Sequence, residues 1–125
     1  MSANRFFRSN KGRRIVVCDY NALLQSITGL LRMNDYTVFQ AYDADAAREL
    51  CGQLPDIELL ILNTTGTGTD AAALVRGIRI EKPGLPVLHI GDAELDEMPT
   101  DVPTLGESFT SEVLLDSVAN LLPAR

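Results

Sequence analysis

The chain has 125 residues, enough for one domain with a single core and too few for two. Apolar residues make up 46% of it, and no apolar run approaches the ~18 residues of a membrane span, so we expect no membrane contact. Residues 1–14 carry five basic and no acidic side chains, whereas residues 15–125 carry six basic and all 17 acidic ones. This acidic body argues against nucleic acid as the main partner, because phosphate binding needs a basic face.

The two cysteines indicate the cellular compartment, and the N-terminal charges indicate where the folded domain begins. Cys18 and Cys51 match no metal spacing and are predicted to be free thiols in a reducing cytoplasm. Residues 1–13 are predicted to form a basic, flexible tail, and residues 14–123 a single domain. No apolar stretch follows the basic residues, so we expect no secretory signal.

Apolar periodicity predicts a strand followed by a helix, repeated along the chain. The predicted strands cover residues 15–17, 36–41, 57–62, 86–90 and 102–105. Asp43, Asp70 and Thr110 are predicted to cap three of the helices at their N-termini. Continuous apolar strands joined by helices indicate an α/β fold, a three-layer, doubly wound, five-stranded parallel sheet.

A ligand crevice in such a fold lies outside the carboxyl ends of the strands. The residues just after those ends are therefore the candidates for function. They are Cys18 and Asp19, Asn63 to Thr65, Gly91 and Asp92, and Gly106 and Glu107.

Four segments at these strand ends resemble the receiver domain of two-component response regulators, the CheY-like family with a flavodoxin-like fold. Ile15–Tyr20 resembles the first strand and its acids, and Pro55–Asn63 resembles the strand that presents the phosphoacceptor. Leu85–Gly91 resembles the fourth strand, and Leu105–Thr110 the fifth strand and its turn. The resemblance implies bacterial phosphorelay signalling, in which an acceptor Asp takes a phosphoryl group.

The resemblance also implies a set of chemical positions, most of which have changed here. Two acids and the acceptor Asp would hold Mg²⁺, and a Lys and a Ser or Thr would stabilise the phosphoryl charge. Only Asp19 matches. The acceptor position is Asn63, the first acid Cys18, the Ser or Thr position Gly91, and the Lys position Glu107. We therefore expect a degenerate pseudo-receiver that is not an enzyme, is not phosphorylated and needs no cofactor.

The region before the fifth strand predicts the partner surface. Gly91 and Glu107 are 16 positions apart, which leaves room for a shortened or missing fourth helix. Five of the acidic residues lie between positions 92 and 101. We expect a protein partner with a basic surface, whether a kinase, an output protein or a regulatory protein, to bind the acidic face around residues 92–109. The oligomeric state stays open.

Two alternatives use the crevice differently. Thr65 and the Gly66-Thr67-Gly68 loop precede a helix, with an acid at Asp92, as in a nucleotide or small-molecule site. The simpler interpretation is a loop that Asp70 ends by capping the helix. A further alternative is an active phosphoacceptor that works by a non-standard route.

Three other groups have a chemical and a structural interpretation. Asp19, Asn63 and Glu107 could form a remade cation site, although a hydrated remnant pocket without metal is favoured. Cys18 could be a redox thiol, but a buried structural cysteine is favoured. His89, the only histidine, is predicted to be packed and hydrogen-bonded rather than to act as a base or a pH sensor.

Overall fold

The computed structural model describes residues 11–19, 23–64, 70–91, 98–106 and 108–123, with the backbone alone at 23 and 24. The strands are β1 (Arg14–Asp19), β2 (Thr37–Ala41), β3 (Leu59–Asn63), β4 (Val87–Ile90) and β5 (Thr104–Leu105). The helices are α1 (Leu23–Met33), α2 (Ala44–Gln53), α3 (Ala71–Glu81) and α4 (Ser111–Leu121). No helix in these ranges has the length and apolar character that crossing a membrane requires.

The strands form one parallel sheet in the order β2-β1-β3-β4-β5. Helices α2 and α3 contribute to the core on one face of the sheet, and α1 and α4 contribute to the core on the other. The predicted three-layer, doubly wound sandwich is therefore confirmed. Because both faces are covered, the central strands can be apolar at every position.

Strand β3 illustrates how the two cores share one strand. Leu60 and Leu62 face the α2/α3 core, and Leu59 and Ile61 face the α1/α4 core, because successive side chains point to opposite faces. All four are fully buried. Asn63 ends the strand and is the first polar residue in it.

The three predicted helix caps are confirmed. In each case the side chain accepts a hydrogen bond from the backbone N–H three residues on: Asp43 from Ala46, Asp70 from Ala73 and Thr110 from Val113. Such caps satisfy an N–H that the first turn leaves without an intrahelical partner. They fix where the chain turns from the crevice edge into a helix.

The connection between β4 and β5 is described only in part. Residues 92–97, where the sequence leaves room for a shortened helix, lie outside the described residues, and 98–103 contain no helix. Val102 is buried, and Met98 packs against the same core. The Arg79 guanidinium donates to both carboxylate oxygens of Asp101, at 2.9 and 2.8 Å. The end of this connection is thus bonded to α3.

The amino edge of the sheet is closed by Arg13, a residue that the sequence analysis placed in the tail. Its side chain is only 1% exposed. Nε donates to Glu58 Oε1 at 2.8 Å, and Nη2 donates to the carbonyl of Pro123. Gly12 N–H also donates to the carbonyl of Asp35 at 2.8 Å. Residues 12 and 13 are therefore part of the domain, whereas residues 1–10 lie outside the described residues.

Candidate functional site

The candidate site lies where β1, β3 and β4 end at the carboxyl edge of the sheet. The parallel register places Asp19 opposite Asn63, and Asn63 opposite Ile90. Gly91 follows directly, with its N–H bonded to the carbonyl of Leu105 in β5. The structure thus brings Asp19 and Asn63 together, with Gly91 at the end of the neighbouring strand.

Asp19 and Asn63 form a buried hydrogen-bonded pair. Neither residue is exposed to solvent, and Asn63 Nδ2 donates to Asp19 Oδ2 over 3.1 Å. A buried carboxylate requires donors, and the amide supplies one without adding charge. The amide N–H of Asn63 therefore points at the carboxylate that the resemblance would assign to a metal.

Cys18 precedes Asp19 but belongs to the opposite face. It lies in the α2/α3 core, and its Sγ donates to the carbonyl of Asp43 at 3.5 Å. The two neighbours diverge because side chains alternate along a strand. The predicted pocket member Cys18 is thus directed away from the Asp19–Asn63 pair.

The other thiol is also structural. Burial raises the pKa of Cys51 from 9.0 to about 11, and the nearby charge of Lys82 lowers it by less. A thiol with such a pKa is protonated at neutral pH and a poor nucleophile.

His89 is hydrogen-bonded at both ring nitrogens, as predicted for a packed histidine. Nε2 lies 2.8 Å from Thr64 Oγ1, and Nδ1 lies 3.2 Å from Thr104 Oγ1. The ring is fully buried. We call these three residues the His89 network.

Gly91 lies directly against the His89 network. Its φ is +152°, in a region that favours glycine. A Cβ there would be 3.1 Å from His89 Nε2 and 3.2 Å from Thr64 Oγ1. A serine or threonine at this position, as the resemblance would require, would press against the Thr64–His89 hydrogen bond.

The sequence matches no family model and no curated protein. Solved receiver domains nevertheless superpose on the structure. The receiver domain of the hybrid histidine kinase CckA has 26% identity and a TM-score of 0.73, covering 88% of this chain and 99% of that one. A response regulator receiver protein from Sinorhizobium medicae has 23% identity and a TM-score of 0.78, covering 90% and 96%. The chemotaxis protein CheY4 of Vibrio cholerae has 17% identity and a TM-score of 0.78, covering 89% and 99%.

The chain has the fold of a receiver domain. Its sheet order and two-layer helix cover agree with that assignment. At these identities the likeness concerns the fold, and the chemistry of the receiver-like domain has to be judged from its own residues.

The described donors do not fit Mg²⁺. In the ranges that the structure covers, no three His, Cys, Asp or Glu side chains are grouped so that they could hold a metal. Asp19 is the carboxylate that ends β1, and Asn63 directs its amide nitrogen toward it. Mg²⁺ needs several oxygen ligands in a nearly octahedral arrangement. Glu107, the third member of the candidate cation set, lies outside the described residues.

The glycine loop is also outside the described residues, including Thr65, Gly66 and Gly68, and so is Asp92. Asp70, which ends the loop, is described and accepts a hydrogen bond from Ala73 N–H at 3.0 Å. The described part of the motif therefore matches the interpretation of Asp70 as a helix cap.

Sequence reasoning missed the partners of His89. The register aligns Leu62, His89 and Thr104 in one row across β3, β4 and β5, and Thr64 follows two residues after Leu62. Thr64 is one of the strand-end candidates, but nothing in the sequence links it to His89, and Thr104 lies within a predicted strand. Only the combined register of three strands would have placed two hydroxyls beside one imidazole.

Proposed function

We propose that the chain is a receiver-like signalling domain of the two-component type that binds a protein partner without being phosphorylated. One observation carries the proposal. Asn63 ends β3, at the position that the resemblance assigns to the phosphoacceptor, and its amide is bonded to Asp19.

The chemistry of the amide supports this proposal. Attack on phosphorus requires an ionised oxygen nucleophile, and the neutral amide of Asn63 offers none. Its N–H group instead satisfies the buried carboxylate of Asp19. The missing hydroxyl at Gly91 removes a second group that would stabilise a phosphoryl oxygen.

The retained scaffold supports an interaction role. The sheet, its helices and the end of the β4–β5 connection are held by packing and by the Arg79–Asp101 ion pair, none of which requires a phosphoryl group. We assign the partner surface to the acidic face around residues 92–109, which would attract a basic surface of a kinase, an output protein or a regulatory protein.

The first experiment tests the absence of phosphorylation. The protein is titrated with Mg²⁺ and beryllium fluoride while its amide resonances are followed by NMR, and intact mass is measured after incubation with acetyl phosphate. We expect no saturable shift at Asp19, Asn63 or Gly91 and no added phosphoryl group. A receiver domain with an intact acceptor Asp is the positive control. A saturable response in the crevice, or a phosphorylated product, would contradict the proposal.

The second experiment tests the partner surface. Three forms of the protein serve as bait, and the proteins that each enriches from the source cell are quantified. The forms are the wild type, the variant Glu94→Gln/Glu97→Gln and the control variant Glu49→Gln/Glu81→Gln. The two control residues are exposed and lie on α2 and α3, outside residues 92–109 of the acidic face. We expect a basic protein to be lost only from the first variant and to be released by salt. Equal retention by both variants would refute the acidic surface, and no specific protein would refute the interaction role. A rise in the Tm of the protein with one member of a nucleotide panel would instead support the alternative that the crevice binds a nucleotide.

A further inference from the structure

The His89 network crosses three strands at the carboxyl edge of the sheet. Thr64 follows β3, His89 lies in β4, and Thr104 begins β5. The register pairs Leu62 with His89 and His89 with Thr104. The His89–Thr104 bond therefore runs along one row of the sheet, and the His89–Thr64 bond runs diagonally to a residue two positions after Leu62. Thr64 and His89 are buried, and Thr104 is half-buried.

The chemistry of imidazole gives the network a direction. A neutral ring has one N–H donor and one nitrogen acceptor, whereas a hydroxyl can be either donor or acceptor. One threonine must therefore donate to the ring while the other accepts from it. The two bonds are therefore coupled through the ring, because the nitrogen that donates to one threonine leaves an acceptor for the other.

Strand β5 is short. It comprises two residues, Thr104 and Leu105, which pair with His89 and Ile90 of β4. Beside that pairing, His89 N–H donates to the carbonyl of Pro103 and Gly91 N–H to that of Leu105. The side-chain bond from His89 to Thr104 adds to these backbone bonds. A strand this short forms few ladder hydrogen bonds, so a side-chain bond at the same position contributes to holding it in place.

The absence of a side chain at Gly91 leaves space for the hydrogen bond between Thr64 and His89. A Cβ at Gly91 would lie 3.1 Å from His89 Nε2, so the Thr64–His89 bond fills the space that a side chain there would need. The crevice cannot hold both a hydroxyl side chain at Gly91 and this bond without displacement.

We propose that the His89 network is a conformational lock that bonds β5 to the crevice and holds the start of the β5–α4 face in one arrangement. His89 acts here as a positioning residue between Thr64 and Thr104. The inference rests on these contacts alone, and it holds whether or not the proposed partner exists.

The experiment replaces each hydroxyl by an isosteric methyl group. Thr64→Val removes the bond at Nε2, and Thr64→Ser is the matched control because it keeps the hydroxyl. Hydrogen exchange is followed at the N–H groups of His89 and Gly91, which bond toward β5. We expect Thr64→Val to speed this exchange about tenfold and Thr64→Ser to change it by about twofold at most.

The single histidine gives a second readout. In protein labelled with ¹⁵N-histidine and carrying no histidine tag, the two ring nitrogens give one pair of signals that reports the tautomer. We expect Thr64→Val to move the signal of Nδ1, which faces Thr104 on the other side of the ring, and Thr104→Val to move that of Nε2. The corresponding serine variants should keep the wild-type tautomer.

The outcomes separate a lock from simple packing. If Thr64→Val leaves the Nδ1 signal and the exchange of the β5-facing amides unchanged, the proposal is wrong. If Thr64→Val does not fold, Thr104→Val at the half-buried end carries the test, with exchange at Thr64 N–H, which bonds to the carbonyl of Ile90, as its readout. Unchanged exchange there would equally overturn the proposal. Neither measurement involves a partner, so failure would leave the proposed function standing.

Discussion

The two edges of the sheet bury polar groups by different means. At the amino edge, the Arg13 guanidinium is 1% exposed and lies against the carboxylate of Glu58 and the carbonyl of Pro123. At the carboxyl edge, Asp19 accepts a hydrogen bond from the amide of Asn63, and the His89 network joins an imidazole to two hydroxyl groups. Stability at the amino edge should therefore depend on an ion pair, and at the carboxyl edge on hydrogen bonds made by amide and hydroxyl groups.

The largest expected effect comes from removing the charge at the amino edge. Arg13→Met should lower the free energy of unfolding by about 3 kcal/mol, because Glu58 then loses its ion-pair partner and the Pro123 carbonyl its donor. Urea denaturation at pH 7 measures the loss. Arg13→Lys is the matched control, which keeps the charge but lacks the planar fork, so it should recover only part of the stability. An unaffected Arg13→Met variant would mean that the ion pair does not hold this edge.

Adding charge at the carboxyl edge should have the next largest effect. Asn63→Asp places a second carboxylate within hydrogen-bonding distance of Asp19, and we expect a loss of about 2 kcal/mol at pH 7 from repulsion and desolvation. The loss should shrink as the pH falls, because a shared proton restores the bond. Asn63→Ala removes the amide without adding charge, so its loss should vary little with pH. The same pH profile for both variants would be inconsistent with a repulsive origin.

A single methyl group should perturb the His89 network at the carboxyl edge. Gly91→Ala should lower the free energy of unfolding by about 2 kcal/mol, since strain at φ +152° adds to contacts of 3.1 and 3.2 Å with His89 and Thr64. Gly84→Ala is the control, with φ +78° and nothing within 4 Å of its Cβ. It should cost about 1 kcal/mol from strain alone. Equal losses in thermal or urea denaturation would show that crowding against His89 contributes nothing.

The smallest expected effect concerns the exposed ion pair beyond β4. Hydrogen bonding to Arg79 holds the pKa of Asp101 below its ordinary value of 3.8. A carboxyl with a lowered folded-state pKa stabilises the protein above the unfolded pKa, and this contribution is lost as the pH falls through the folded pKa. Because the side chain of Asp101 is 65% exposed and screened by solvent, Asp101→Asn should cost less than about 1 kcal/mol at pH 7.

Denaturation curves at several pH values check this last prediction. The difference between Asp101→Asn and the wild type should disappear at acid pH, and added salt should reduce it at pH 7. A difference that grows as the pH falls would contradict the assigned sign.

Sequence reasoning succeeded where the determinant was local or periodic. Asp43, Asp70 and Thr110 were recognisable as caps because a cap depends on a few consecutive residues. Asp19 and Asn63 could be placed together because the ends of parallel strands share one edge.

Sequence reasoning failed for contacts between residues that are far apart in the chain and are brought together by the pairing of several strands. Arg13 meets Glu58 across 45 positions of sequence, and a basic run gave no sign that one of its members is buried. The partners of His89 required the pairing of three strands. The predicted first strand ended at residue 17, whereas β1 continues to Asp19, so alternation along the strand turns Cys18 away from its neighbour.

The bond between Arg13 and Pro123 has a practical consequence for how the protein can be tethered. Both described ends of the domain meet at the pole opposite the crevice, within the reach of one side chain. A fluorophore or surface linker attached beside residue 11 or residue 123 would enter there and leave the carboxyl edge clear. The same proximity makes the domain a candidate for circular permutation, with a short loop joining residues 11 and 123 and new termini opened at an exposed turn such as Pro83-Gly84.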